Sequence, residues 1–317
     1  MNSSSCNNSS SSFIYRSSSS TAATRSVIAI TLGFIINYIN GTLVHTFRKH
    51  QVSIFYMNPR YILFIHLVVN DMIQLTTSIS LLAFSYVFYN MSSYLCLLII
   101  VVAIFTTMNT PINLAVMALE CYIAVCFPLR HAELCTVKRT YILIGGIWVL
   151  SSLTIVPDIF LHLATDPLWL FCSLAICEKD NLFQHPVSKP KRTIIFIIYL
   201  TLIWLTLVIT YLKIFFVAQK AKSTDGSAKK ARNTILLHGF QLLLCMLTYA
   251  DFIIKNSIVA TPQILSYITY FLYILIHILP RFVSPIVYGL RDKTFRQYLK
   301  NHLLCDIRAG SKLYPSK

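Results

Sequence analysis

Charge is what this chain has least of. Only 12% of its 317 residues are Asp, Glu, Lys or Arg, against about 25% in a soluble globular domain. That shortage excludes a water-facing surface over most of the chain. With 56% hydrophobic residues and a mean hydropathy of +0.65, it excludes intrinsic disorder as well. Acidic side chains are scarcer than basic ones, 11 against 27, for a formal net charge of +16. A basic excess alone suggests nucleic acid, but that reading needs a soluble basic face, so no nucleic-acid partner is expected. Nine Cys in 317 residues are too few for a disulfide-dense secreted scaffold. Metal-ligand spacing, a nucleophile elbow and a phosphate loop are all missing, so nothing supports an enzyme.

What is present is a series of long uncharged runs. Between Arg25 and Arg48 lie 22 residues without charge, and between Asp71 and Glu120 lie 48, enough for most of two membrane spans and a turn. Further uncharged runs cover 140–157, 193–212, 233–250 and 256–280. A bilayer core of about 30 Å requires about 20 mostly apolar residues per helix. With Asp71 allowed inside a span, the chain divides into seven helices, near 24–47, 60–86, 95–121, 139–163, 192–218, 234–258 and 263–290. The expected class is an all-α membrane protein, a seven-transmembrane helix bundle over 24–290. A Ser-rich tail at 1–23 precedes it, and a tail with a short amphipathic helix at 291–317 follows.

Seven spans put the termini on opposite sides. The connections on the C-terminal side hold 18 of the 27 cations, those on the N-terminal side hold 7, and Lys213 and Arg281 fall within spans. Positive charge collects on the cytoplasmic side, so a plasma-membrane protein with an outside N-terminus is expected. The first 25 residues lack an apolar h-region, so no cleavable signal is expected and the first span acts as signal anchor. Asn2, Asn7, Asn8 and Asn90 head glycosylation triplets on that outer side, although a Ser/Asn-rich tail generates such triplets by chance.

Polar side chains inside spans need partners or water. Asn40, Asp71, Thr110 and Ser284 are expected to form a polar cluster, with a sodium ion as one candidate occupant and an Asn40–Asp71 hydrogen bond as the bland alternative. Asp71 reads as the only deep carboxylate. Cys96 and Cys121 are 25 residues apart, about 37 Å of helix, which places Cys96 at the outer mouth. A disulfide from Cys96 to Cys177, with Cys172 as alternative, would pin the fourth connection over the bundle. Cys126, Cys135 and Cys245 read as ordinary small residues. Cys305 is a palmitoylation candidate, a plain thiol being the alternative.

These residues carry a family resemblance. Asn40, the run Leu67-Val68-Val69-Asn70-Asp71, the Cys96 to Glu120-Cys121-Tyr122 spacing, Trp148, Tyr211 and Ser284-Pro285-Ile286-Val287-Tyr288 resemble rhodopsin-like G-protein-coupled receptors. The stretch from Met117 through Cys126, followed by Pro128-Leu129-Arg130-His131, resembles the odorant-receptor signature. Lys229 through Leu242 and Leu279 through Asp292 resemble its fish-type branch. The resemblance implies a receptor that binds a small-molecule odorant and couples to a heterotrimeric G protein of the olfactory stimulatory type. Two departures stand out. Cys121 occupies the place of an Arg that in the family pairs with the preceding acid and contacts the G protein, so Glu120 has no adjacent partner. Ser284 replaces the usual Asn, which weakens the sodium expectation. Coupling is expected to lean on Tyr122, Pro128, Tyr211, Pro285, Tyr288 and the basic connections, which also attract anionic membrane lipid.

A ligand pocket is expected in the outer half, from Ala103, Ile104, Thr107 and Met108 of the third span with Tyr199, Tyr249 and Asp251. Tyr270, Tyr273 and His277 recur along one stripe of the seventh. For any single Tyr, packing or interface anchoring competes with ligand contact. The competing functions are a lipid or peptide receptor of the same fold, and a transporter. A transporter would be expected to show internal repeats, and none is visible.

Overall fold

The computed structural model describes residues 19–49, 58–87, 91–165, 174–175, 177, 188–220 and 262–283, with isolated positions 236, 239, 240 and 243. The elements are α1 (Ser19–Lys49), α2 (Pro59–Val87), β1 (Met91–Ser92), α3 (Ser93–Cys126), α4 (Pro128–Leu134), α5 (Val137–Thr165), β2 (Leu174–Ala175), α6 (Ser188–Lys220) and α7 (Pro262–Tyr273). A π-helical turn over Ile274–Ile278 continues α7, and helix runs on to residue 283. Five helices are long and apolar enough to cross a membrane: Thr24–Arg48, Pro59–Phe84, Ser93–Cys126, Val137–Leu161 and Thr193–Val217. They are the first five expected spans, and Tyr270–Val283 is an apolar part of the seventh. Most of the sixth, both tails and the amphipathic C-terminal segment lie outside the described residues.

The peripheral helices α1 and α6 bury a narrow seam and expose the rest. On α1 the seam is Ala29, Gly33, Ile36, Asn40, Leu43 and Phe47, and on α6 it is Leu200, Ile203, Leu207, Thr210 and Ile214. Alternating steps of three and four residues keep such a stripe facing one neighbour. The opposite faces are apolar: Phe34 is 67% exposed, Tyr38 73% and Phe160 73%. Water would penalise such surface, whereas lipid tails accept it, so the apolar exterior and polar interior fit a bilayer. α3 is central, packed against α2, α5 and α6, while α1 packs on α2. At Gly33 a Cβ would run into the Ile79 side chain, so the small residue is what lets α1 approach α2 closely.

Candidate functional site

At one end of the bundle, β1 and β2 pair antiparallel, Met91 opposite Ala175 and Ser92 opposite Leu174. One turn into α3, Cys96 is bonded to Cys177, with a Cα–Cα distance of 5.5 Å. Thus Cys177 is the partner, and it packs with Leu97, Ile100, Ile104 and Ile159 around the head of α3. A second clamp joins α5 and α6, where Lys191 Nζ lies 2.6 Å from a carboxylate oxygen of buried Asp158. Asp71 is therefore not the only buried carboxylate. Asp158 escaped the sequence reading because it lies near the end of an uncharged run, where a solvated boundary residue is the ordinary interpretation.

Below the disulfide the expected pocket residues fall into two groups. Ala103, Ile104, Thr107 and Met108 are all half-buried on α3. The Thr107 hydroxyl donates to the Ala103 carbonyl at 2.7 Å and accepts from Gln74 Nε2 at 2.6 Å. Met108 packs beside Tyr199 of α6, whose hydroxyl donates to the Met108 carbonyl. Tyr270 and Tyr273 instead pack against α1 and α2, among Ala29, Ile36, Leu75 and Ile79. His277 is tilted against Tyr273, ring centroids 5.2 Å apart, and the Arg25 guanidinium lies 5.6 Å from the Tyr270 centroid. Tyr249 and Asp251 lie outside the described residues.

The middle of the bundle holds a polar ladder that only partly coincides with the expected cluster. Thr110 donates to an Asp71 carboxylate oxygen at 3.5 Å. Asn70 Nδ2 donates to the Thr110 hydroxyl and to the Thr106 carbonyl, both at 2.9 Å. Asn109 Nδ2 reaches Asn70 Oδ1 at 3.3 Å, and Ser151 donates to Asn109 Oδ1 at 2.6 Å. These side chains tie α2, α3 and α5 together where an unmade hydrogen bond has no water to replace it. Asn40 is buried, but its amide makes no hydrogen bond to Asp71, which corrects the bland alternative. Ser284 lies outside the described residues. Nearby, Trp148 Nε1 donates to His66 Nε2 at 3.1 Å. His66 Nδ1 lies 3.3 Å from Asn113 Oδ1, so a neutral ring protonated on Nδ1 satisfies both contacts.

At the opposite end the geometry turns on Glu120, 6% exposed. It lacks a neighbour in sequence but not in space. Arg60 forms a fork on it, Nε to Oε2 at 2.9 Å and the second guanidinium nitrogen to Oε1 at 3.1 Å, and His131 Nε2 lies 3.0 Å from Oε1. Local sequence sets both partners. Asn58 caps α2, its Oδ1 accepting the Arg60 N–H at 3.1 Å, and Pro59 opens the helix, which fixes Arg60 in the first turn. Pro128 starts α4, and Arg139 closes it by donating to the carbonyls of Glu133 and Leu134, which sets His131 toward Glu120. Cys121 is buried in an apolar seam with Ile214, Tyr122, Val125, Cys126 and Tyr211. Tyr122 meets Phe127 edge to face at 5.8 Å, and Tyr211 stacks on Phe215 at 6.4 Å. Partial burial and the Glu120 charge push the Cys135 thiol above its ordinary range, against the opposing pull of Arg60 and Arg139. Pro285, Tyr288, Cys305 and Asn2, Asn7, Asn8 and Asn90 lie outside the described residues.

A model of the seven-transmembrane receptors of the rhodopsin family matches residues 39–288, through most of the chain. The chain belongs to that family. This receptor is 30% identical over 306 residues to Odorant receptor 131-2 of Danio rerio, a match covering 92% of this chain and 90% of that protein. It is 26% identical over 193 residues to Olfactory receptor 56B2 of Homo sapiens, covering 58% of each. It is a multi-pass membrane protein whose spans form the seven-helix bundle of its family. The disulfide at one end and Glu120 at the other bracket α3, and these are the two ends of the receptor at which motifs concentrate. Arg60, Asn109 and Ser151 are members of its site that the motifs did not single out, and His131 belongs to a motif that carried no role for it. Arg60 offers one signal in retrospect, a cation placed at the first turn of a span that also carries Asp71.

Proposed function

We propose that this chain is an odorant receptor which binds a small molecule in the disulfide half of the bundle and activates a heterotrimeric G protein at the Glu120 end. The carrying observation is the near full-length similarity to Odorant receptor 131-2. Orientation follows from the cations, 18 of 27 on the Glu120 side, so that side is cytoplasmic. The pocket reading rests on Met108 and Tyr199, which meet between α3 and α6, and on Thr107 beside them on the α2 side, about three turns below the disulfide. Tyr249 and Asp251 would extend it from the sixth span, and His277 from the seventh.

A ligand shifts the receptor only through unequal affinity for two helix arrangements. Parting of the cytoplasmic ends then opens a groove for the C-terminal helix of a G-protein α subunit. In this chain the cation that holds Glu120 comes from α2, not from position 121, and Cys121 serves the apolar seam to α6. Basic connections draw in the anionic leaflet and the acidic partner surface. Family membership points to a stimulatory G protein, so the test is ligand-stimulated cAMP in cells expressing the wild type and Cys121→Arg. A dose-dependent rise is expected from at least one odorant class. Silence of both forms across broad odorant panels, with surface expression verified, would defeat the receptor reading.

A further inference from the structure

Thr107 sits in α3 between Ala103 one turn before it and Pro111 one turn after. A helical threonine hydroxyl can reach back to the carbonyl of the preceding turn, and Thr107 Oγ1 lies 2.7 Å from the Ala103 oxygen. Two oxygens come that close with a hydrogen between them, so the single hydroxyl hydrogen of Thr107 is committed to its own helix. The 2.6 Å contact with Gln74 then runs from Nε2 to Thr107, which fixes the Gln74 amide. Gln74 is 1% exposed, and its Oε1 is buried with no hydrogen-bond partner among the described residues. A glutamine kept for cohesion alone would have both ends of its amide bonded.

The neighbours of Thr107 share this bias. Pro111 has no N–H, so the Thr107 carbonyl receives no bond from the fourth residue after it. Toward α6, the Tyr199 hydroxyl spends its one hydrogen on the Met108 carbonyl. Ala103, Ile104 and Met108 carry no N–H or O–H in their side chains. The half-buried side chains of α3 and α6 that form this wall therefore present oxygen lone pairs and no uncommitted hydrogen. They bring no carboxylate either, so nothing among them would hold an ammonium group.

Resting on the pocket proposed above, we propose that Thr107, oriented by Gln74, makes this receptor select alcohols over the aldehydes and ethers of the same size. After accepting from Gln74, the Thr107 oxygen keeps one lone pair, and a ligand O–H fills it. A carbonyl or ether oxygen in that place meets a lone pair with a lone pair, and loses its water without a replacement. Gln74 is a positioning residue that acts through Thr107. Its Nε2 holds the Thr107 oxygen in place, so the side chain does not swing off the Ala103 carbonyl to turn its hydrogen toward the ligand.

The test is a cAMP dose response in cells with the full-length receptor at the surface. Straight-chain and cyclic alcohols are each run beside the aldehyde of the same chain and the methyl ether of equal heavy-atom number. The responding alcohols should be more potent than both partners by about tenfold, the worth of one hydrogen bond. Thr107→Val keeps the outline and removes the oxygen, and should bring the alcohol down to the level of its ether. Gln74→Met should narrow the gap. A merely structural change would weaken alcohol and ether alike and leave their ratio unmoved. If Gln74→Met does not reach the surface, the wild-type series and Thr107→Val decide. Equal potencies in the wild type, or more potent aldehydes, would overturn the proposal and leave the receptor reading standing. So would a ratio untouched by Thr107→Val or by surface-expressed Gln74→Met, or silence to all alcohols while another odorant class raises cAMP. Silence to every class at verified surface expression strikes the receptor reading, and this proposal with it.

Discussion

Glu120 shows how a missing residue is replaced from elsewhere in the molecule. The Arg expected after it is absent, yet the carboxylate is buried because Arg60 supplies the opposite charge from α2 and His131 a further polar contact from α4. Arg60→Gln leaves His131 alone on Glu120, and basal cAMP is expected to rise above wild type at matched surface expression. Adding Cys121→Arg should bring the basal level back down, since the charge returns at the neighbouring position. Unchanged basal signalling in Arg60→Gln would make the pair purely structural. The stability cost of Arg60→Gln should be about 1–3 kcal/mol, below that of a fully buried pair because the Arg60 side chain is 49% exposed. In the polar ladder, Asn109→Ala removes the acceptor of Ser151 and a donor to Asn70. A loss of about 1–3 kcal/mol is expected, read as a lower unfolding midpoint of the purified receptor.

Among the elements, the cap at the disulfide end depends on a single covalent link. Cys177 is held next to the first turn of α3 by the disulfide and by the β1–β2 pair, a strand pairing too short to persist alone. Cys96→Ser is expected to abolish surface delivery or ligand response, scored by staining of intact cells and by cAMP. Normal behaviour of both would remove the disulfide from the mechanism. Helix packing also decides how the expected pocket residues sort. Tyr270, Tyr273 and His277 share a stripe in sequence, but the seventh helix turns Tyr270 and Tyr273 toward α1 and α2. A stripe names a face without naming the neighbour it meets.

For the molecule as a whole, the cation asymmetry predicts its placement in the membrane. A tag on the N-terminus should be accessible on intact cells and one on the C-terminus only after permeabilisation. Glycosidase treatment should shorten the apparent mass through Asn2, Asn7, Asn8 or Asn90. The reverse tag pattern would overturn the orientation and, with it, the assignment of Glu120 to the G-protein end.

The sequence by itself determined the positions of the first five spans, the class of fold and the family. A bilayer demands an uninterrupted apolar length, and length is a property of consecutive residues. The family signature around Glu120 is likewise contiguous. Tertiary structure alone decided that Arg60 meets Glu120 across 60 positions and Lys191 meets Asp158 across 33, and it settled Cys177 over Cys172 as the partner of Cys96 across 81. Those meetings depend on the rotation and depth of each helix against its neighbours, and both are set by packing between segments far apart in the chain.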